Sequence, residues 1–167
     1  MILKGERIEL RKLTENDATE KYVSWLNDPE VNQYLESRFA THTVESTKEF
    51  IKGLSANDHM FGIFLNNEHI GNIKLHVNPR HNYGDIGYLI GEKQHWGKGY
   101  MTEAIKLIVN YAFETVGLDK VYAGVYSNNI GSQNALISAE FTFEAIQKEQ
   151  FVCNGKRVDN FLYGIWR

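Results

Sequence analysis

Apolar and polar residues alternate at the start of the chain and then change to a helical period. Charged residues alternate with apolar ones over residues 2–13, which predicts one strand. Thr14 is a candidate N-cap for a first helix, and Pro29 suits the first turn of a second, short helix through about Leu35. Thr43 can cap a third helix. Its predicted inward positions are Val44, Phe50, Ile51 and Leu54.

The rest of the chain has the two-residue period of strands, interrupted by one long helical pattern. Strands are predicted over residues 60–65, 70–77, 83–91, 120–126, 141–152 and 157–166. The long helix extends from Met101 to Val116 with Gly117 as its stop, and a shorter helix follows Asn128 or Asn129. The predicted order, β-α-α-α-β-β-β-α-β-α-β-β, indicates an α/β fold of the α+β type, a mixed sheet with helices on both faces.

Length and composition indicate an ordinary globular protein. We expect a single domain over residues 1–167, because there is no internal repeat and no boundary that would divide the chain. A net charge of −3 gives no sign of bulk nucleic-acid binding. Cys153 is the only cysteine, so the sequence has neither a disulfide pair nor a cysteine metal motif. Without a long apolar run or a signal-peptide pattern, we expect a cytoplasmic protein with no membrane partner.

The stretch from Gln94 to Ala104 joins a predicted strand to the long helix through two glycines. Glycines let a ligand approach the backbone, and the free N–H groups and dipole of a helix N-terminus favour negative charge, so the stretch is a candidate phosphate site. The P-loop pattern is absent, and the dinucleotide pattern lacks its third glycine after Gly99. A plain tight turn that leads into a helix is the alternative interpretation.

The pattern Q-x-x-G-x-G, formed by Gln94, Gly97 and Gly99, resembles the acyl-CoA signature of the GCN5-related N-acetyltransferase (GNAT) superfamily. Residues 86–90, Ile-Gly-Tyr-Leu-Ile, and residues 96–104 are similar to the branch of ribosomal-protein N-terminal acetyltransferases and spermidine acetyltransferases. Three further segments agree with that branch, and they are residues 25–31, residues 129–141 and residues 154–159. The resemblance implies a GNAT-like, mostly antiparallel sheet with a splayed strand pair at the acyl-CoA site.

The resemblance also implies acetyl-CoA as co-substrate, no metal, and a set of cofactor-binding positions. Backbone amides of the glycine turn would hold the pyrophosphate, and the preceding strand would pair with the pantetheine arm. An amide near Gly87 or Tyr88 would polarise the thioester carbonyl. Lys98 could add a charge contact to the pyrophosphate, and the alternative interpretation is a solvated loop lysine. The positions carried over are Leu89, Gln94, His95, Trp96, Gly97, Lys98, Gly99, Tyr100, Met101, Thr102, Asn129 and Asn134.

The implied reaction is attack of a primary amine on the thioester, which needs a base and a proton for the thiolate. Asp85 is a candidate base because it shares strand parity with Gly87 and Leu89, and its alternative is an exposed strand carboxylate. His76 has a suitable ordinary pKa but is predicted to face solvent. The tyrosine that serves as acid in many members is replaced by Leu136.

For the acid, the resemblance points to Ser132, three residues after Asn129, with Tyr126 as a second candidate. A helix-capping serine is the alternative interpretation for Ser132. A further departure from the family is Glu140, where a glycine is usual before Phe141. Dimers are common in this branch, so the resemblance allows a homodimer.

In this family the first two helices and the following loop wall the acceptor site. The corresponding candidates are Trp25, Asn27, Asp28, Tyr34 and Arg38. Core packing is the alternative for Trp25 and Tyr34, and helix capping is the alternative for Asp28. The expected acceptor is a small-molecule or peptide primary amine, such as a protein N-terminus, a polyamine or an amino sugar. The competing hypothesis is a non-catalytic acyl-CoA-binding regulator on the same fold.

Overall fold

The computed structural model describes residues 1–167 and has all eight strands in one mixed sheet of order β1-β2-β3-β4-β5-β6-β8-β7. Only the β5–β6 pair is parallel. The strands are β1 (Ile2–Lys4), β2 (Ile8–Lys12), β3 (Asp58–Leu65), β4 (Glu68–Asn78), β5 (Tyr83–Ile90), β6 (Lys120–Tyr126), β7 (Thr142–Cys153) and β8 (Lys156–Trp166). The helices are α1 (Glu20–Asn27), α2 (Pro29–Asn32), α3 (Val44–Lys52), α4 (Tyr100–Asn110) and α5 (Ile130–Ser138). No helix has the length and apolarity that a membrane crossing requires.

The predicted element order is confirmed, with differences near the N-terminus. The single strand predicted over residues 2–13 is a hairpin of β1 and β2, because the chain reverses where the Gly5 N–H donates to the Ile8 carbonyl. Thr14 begins only a single helical turn, and α1 begins after Thr19. In α3, Phe50 is 49% exposed, so its predicted inward orientation was wrong.

Helices cover both faces of the sheet, as predicted, and each face has its own core. The larger core joins α4 and α5 to residues such as Phe61, Ile73 and Val121. The smaller core lies under α1 and contains Leu13, Tyr22, Trp25, Leu26 and Met60. Because successive side chains of a strand alternate between faces, Met60 and Phe61 mark the two sides of β3. We call these the α4 face and the α1 face.

Strands β5 and β6 separate after only three paired positions. Pairing covers Tyr83 to Asp85 on β5 and Lys120 to Tyr122 on β6, while both strands continue beyond it. Past this point the backbone groups that face one another across the two strands are left without a strand partner. The splayed strand pair implied by the family resemblance is therefore present.

Helix α5 ends in a Schellman motif, and this explains the position of Glu140. The Phe141 N–H donates to the Leu136 carbonyl at 3.0 Å and the Glu140 N–H donates to Ile137 at 2.9 Å. Glu140 has a φ of 71°, the left-handed conformation that favours glycine at this position. The chain thus keeps the turn of a glycine-ended helix at the cost of strain at a glutamate.

We predict that Glu140→Gly raises the free energy of unfolding by about 1 kcal/mol, because glycine adopts the left-handed conformation without steric cost. Urea unfolding followed by circular dichroism measures the change. The matched control is Glu114→Gly, at an exposed position in the helical turn Tyr111–Val116 that continues α4. There glycine should lower stability by about 1 kcal/mol. A free energy of unfolding that is lower in Glu140→Gly than in the wild type would show that Glu140 is not strained at this turn.

Candidate functional site

A cavity of about 770 Å³ lies where β5 and β6 separate. Its walls come from the end of β5 that is not paired with β6, the end of β6, the start of α4, the start of α5 and the segment after α2. Had pairing continued, Gly87 would lie opposite Gly124, and a side chain added at Gly87 would meet nothing within 4 Å. The gap between the strands is therefore open at its centre and connects the two faces of the sheet.

One end of the cavity is the glycine turn before α4. Gly97 and Gly99 have φ values of 70° and 83°, which side-chain-bearing residues rarely adopt. No backbone N–H group from Gly97 to Thr102 donates to a backbone carbonyl. Six consecutive free donors at a helix N-terminus form a site for an anionic group. Gly97, Gly99, Tyr100, Met101 and Thr102 all line the cavity, as the candidate assignment requires.

The glycine turn is held from outside by Arg7, a residue that the sequence interpretation missed. Its Nη1 donates to the Lys98 carbonyl at 2.8 Å, and its Nε donates to Glu103 Oε2 at 2.9 Å. The guanidinium also lies 4.6 Å from the centre of the Tyr100 ring. Arg7 therefore ties the β1–β2 hairpin to the turn and to the first turn of α4.

The remaining candidates of the turn divide between the cavity and the surface. His95 and Trp96 line the cavity, and the Trp96 indole donates to the Ile90 carbonyl at 2.8 Å. Gln94 and Lys98 are exposed and lie outside the lining, and the Gln94 amide donates to Glu92 at 3.0 Å. The Gln94 side chain therefore contacts the segment just before the glycine turn and not the cavity.

The start of α5 contributes Asn129, Ser132 and Asn134 to the wall of the cavity. Asn129 caps the helix by accepting from the Ser132 N–H at 3.2 Å. The Ser132 hydroxyl is 2.7 Å from the Tyr88 hydroxyl, a partner that sequence interpretation did not find. Leu136, at the position of the tyrosine found in many family members, is fully buried in the larger core and brings no hydroxyl to the cavity.

Asp85 and His76 lie on the α1 face, next to one another across β4 and β5 and outside the cavity lining. Asp85 is half-buried where β5 and β6 separate, and burial raises the pKa of its carboxyl, although His76 and Lys74 oppose the shift. The His76 ring is 2.8 Å from Asp58 and its side chain is 47% exposed. Burial also opposes ionisation of Asp58, but hydrogen bonds from Ser55 and His76 hold its pKa well below the ordinary value.

Aromatic and acidic side chains form the α1-face wall of the cavity. Tyr126 stacks on Phe151 with ring centres 4.6 Å apart and meets the edge of Tyr34 at 5.9 Å. The Tyr126 hydroxyl donates to Glu36 and accepts from Arg38 Nη1 at 2.7 Å. Burial and the contact with Glu36 raise the pKa of Tyr126.

Arg38 is occupied by protein groups, so its guanidinium acts as a tie between segments. Besides Tyr126 it donates to the carbonyls of Leu35 and Val152, at 2.9 and 2.6 Å. The side chain is 14% exposed and lies outside the cavity lining. Arg38 therefore links the segment after α2 to β6 and β7.

Three acceptor candidates lie away from the cavity. Trp25 is 3% exposed in the smaller core, where its indole donates to Glu92 at 2.9 Å. Asn27 exchanges two hydrogen bonds with the backbone of His42, both at 2.8 Å. Asp28 caps α2 and pairs with Lys93 at 2.8 Å, and the Lys93 hydrogen bond is the main cause of its lowered pKa. Tyr34 is the one candidate of the five that lines the cavity.

Comparison with known proteins agrees with this geometry. A family model described as an acetyltransferase (GNAT) domain matches residues 7–142. The chain belongs to the GNAT family. The probable N-acetyltransferase YjcK of Bacillus subtilis (strain 168) is 32% identical over 98% of this chain and 96% of its own length. The family model and this relative together support an acetyltransferase.

Solved GNAT structures share the fold at low sequence identity. Spermidine N-acetyltransferase from Vibrio cholerae, in complex with CoA and spermine, has a TM-score of 0.85 at 21% identity, covering 96% of this chain and 95% of that one. RimL, a ribosomal L7/L12 alpha-N-protein acetyltransferase in complex with CoA, has a TM-score of 0.86 at 19% identity, covering 99% and 98%. At these identities the likeness establishes the GNAT fold.

We predict that Arg7→Ala weakens CoA binding to this acetyltransferase about fivefold, because the turn loses a partly exposed hydrogen bond and ion pair worth about 1 kcal/mol. Isothermal titration calorimetry with CoA measures the change. Arg11→Ala is the matched control, since Arg11 bonds Glu9 and Asn67 away from the turn. Equal affinities for both variants would contradict the role of Arg7.

Proposed function

We propose that this protein transfers the acetyl group of acetyl-CoA to a primary amine by direct attack in a ternary complex. The observation that carries the proposal is the gap between β5 and β6, which joins a row of free backbone donors at one end to an aromatic and acidic wall at the other. A cofactor can enter this gap from the α4 face while an amine approaches from the α1 face. No metal takes part in the proposed reaction.

The glycine turn is the proposed site of the cofactor's pyrophosphate. The free N–H groups from Gly97 to Thr102 and the dipole of α4 favour its negative charge. The unpaired edge of β5, including Leu89, offers backbone groups to the amides of the pantetheine arm. A backbone N–H in this edge near Gly87 then polarises the thioester carbonyl.

Ser132 is the proposed donor of a proton to the departing thiolate, because it lines the cavity at the start of α5. Asp85 is the proposed base, acting through water, since it lies on the α1 face two residues before Gly87. Its raised pKa moves it toward the range where a carboxylate accepts a proton effectively. Tyr126, between Glu36 and Arg38, and His76, paired with Asp58, remain second candidates for acid and base.

The charge of the cavity wall favours a cationic amine as acceptor. Its lining includes the acidic Glu30 and Glu36 but no lysine or arginine. Glu30 is paired with Lys93 at 2.7 Å. Glu36 is 64% exposed, and its nearest cation, Arg38, is as far as 4.0 Å away, so its charge is less well neutralised. Aromatic faces beside a carboxylate attract an ammonium group. An acceptor carrying phosphates would find no free cation in this wall.

We predict that release of free thiol from acetyl-CoA is accelerated by primary amines, and more by a polyamine or a cationic peptide N-terminus than by a nucleotide-linked amino sugar. Steady-state assays with a thiol reagent measure the rates. The same acceptors with their amines already acetylated serve as controls and should have no effect. Glu36→Gln should raise the acceptor KM about fivefold by removing one charge. If CoA binds tightly and no amine accelerates release, the protein is a CoA-binding regulator instead.

We also predict an acid limb in the pH profile of kcat/KM for the acceptor. Asp85 must be ionised to accept a proton, so activity is lost as pH falls through its raised pKa, above the ordinary carboxyl value of about 4. Asp85→Asn should lower kcat/KM about a hundredfold and remove this limb. His76→Gln is the comparison at the neighbouring position. Persistence of the limb in Asp85→Asn and its loss in His76→Gln would transfer the role of base to His76.

A further inference from the structure

Tyr88 and Ser132 meet inside the cavity from opposite walls. Tyr88 comes from the part of β5 that is not paired with β6 and packs against the larger core, while Ser132 comes from the first turn of α5. Their hydroxyl oxygens are 2.7 Å apart, the ordinary length of a hydroxyl–hydroxyl bond. No other hydrogen bond is made by either hydroxyl. Neither hydroxyl therefore has a competing hydrogen-bond partner in the protein.

Either hydroxyl can donate at this distance, but a phenol is a stronger hydrogen-bond donor than an aliphatic hydroxyl, which favours Tyr88 as the donor. Tyr88 is partly buried against the larger core, and desolvation there raises the pKa of its phenol above the ordinary value. The phenol therefore keeps its proton throughout the pH range of an assay. Ser132 is also partly buried, and both residues line the cavity. If Tyr88 donates to the Ser132 oxygen, the serine hydrogen is left free to point into the cavity.

We propose that Tyr88 is a positioning residue that donates a hydrogen bond to the Ser132 hydroxyl and so makes this serine an effective acid in acetyl transfer. This role rests on the proposed function, in which Ser132 protonates the thiolate. Tyr88 fixes the Ser132 rotamer and holds its hydrogen toward the space between β5 and β6. It also stabilises the negative charge that develops on the serine oxygen during the proton transfer.

The acetyl-transfer step balances in bonds and protons. The amine nitrogen forms the new C–N bond, the C–S bond breaks, and the sulfur takes the proton of the Ser132 hydroxyl. The ammonium acceptor gives up one proton to solvent through the base before it attacks. The nitrogen loses a second proton by the same route after the C–N bond forms, and this second proton balances the one that Ser132 regains from solvent after the thiol leaves. Tyr88 keeps its proton throughout and only strengthens or weakens its bond to the serine oxygen.

The placement of Tyr88 also accounts for a catalytic serine in a chain without the helix tyrosine. An isolated serine hydroxyl is a weak acid, whereas a serine that accepts a hydrogen bond from a phenol bears negative charge more readily. Leu136, one turn after Ser132, contributes only to the larger core. In this chain a phenol reaches the start of α5 from β5.

The test is a double-mutant cycle of Tyr88→Phe and Ser132→Ala, with thiol release from acetyl-CoA as the readout. Phenylalanine keeps the ring in the larger core and removes only the hydroxyl. We expect kcat to fall about a hundredfold in Ser132→Ala and about tenfold in Tyr88→Phe. The KM for acetyl-CoA and the Kd of CoA should stay within about twofold of the wild type. Tyr88→Phe should have no further effect in the Ser132→Ala background.

Tyr163→Phe is the matched control, since this buried tyrosine contacts Gln133 of α5 at 3.4 Å and not Ser132. It should leave kcat unchanged. A fluorinated tyrosine at position 88, which restores the hydroxyl, should recover most of the activity lost in Tyr88→Phe. Additive losses in the cycle, or equal losses in Tyr163→Phe, would overturn the role of Tyr88 alone. A wild-type protein that releases no thiol with any amine would overturn the proposed function, and the role of Tyr88 with it.

Discussion

The early end of the β5–β6 pairing is the constraint on which the site depends. Unpaired backbone groups inside a protein are costly unless something else bonds them. Here β5 and β6 leave their facing edges open beyond Asp85 and Tyr122, and no side chain at Gly87 fills the space. The neighbouring elements then bring the chemistry to this edge: α4 its free amides, α5 its serine, and the segment after α2 its carboxylate.

The two faces of the sheet divide the work between cofactor and acceptor. Ser132 and Tyr88 belong to the α4 face, whereas Glu36, Tyr34 and Tyr126 belong to the α1 face. The gap between β5 and β6 is the place where the two sets of groups meet. This separation allows the acceptor wall to vary in charge and shape without changing how the glycine turn is built.

The sequence predicted the order of the elements and the glycine turn because both depend on local signals. Periodicity identifies strands, and two glycines before an amphipathic helix identify the turn. The side-chain contacts between these elements were harder to predict, because the partners are far apart in the sequence. Arg7 and Glu103 are separated by 96 positions, Glu36 and Tyr126 by 90, and Tyr88 and Ser132 by 44. Such contacts exist only after the sheet order is known. For the same reason, no local signal predicts the hydrogen bonds that Trp25 donates to Glu92 and Arg38 donates to Val152.

The contact between Arg7 and Glu103 has a consequence for how the protein assembles. It closes a very long loop of chain, and such a contact can form only after both distant segments are in place. The glycine turn receives its outer support only when the N-terminal hairpin has docked beside α4. A chain that folds from its N-terminus during synthesis must therefore wait for residue 103 to emerge before the phosphate-binding turn is complete.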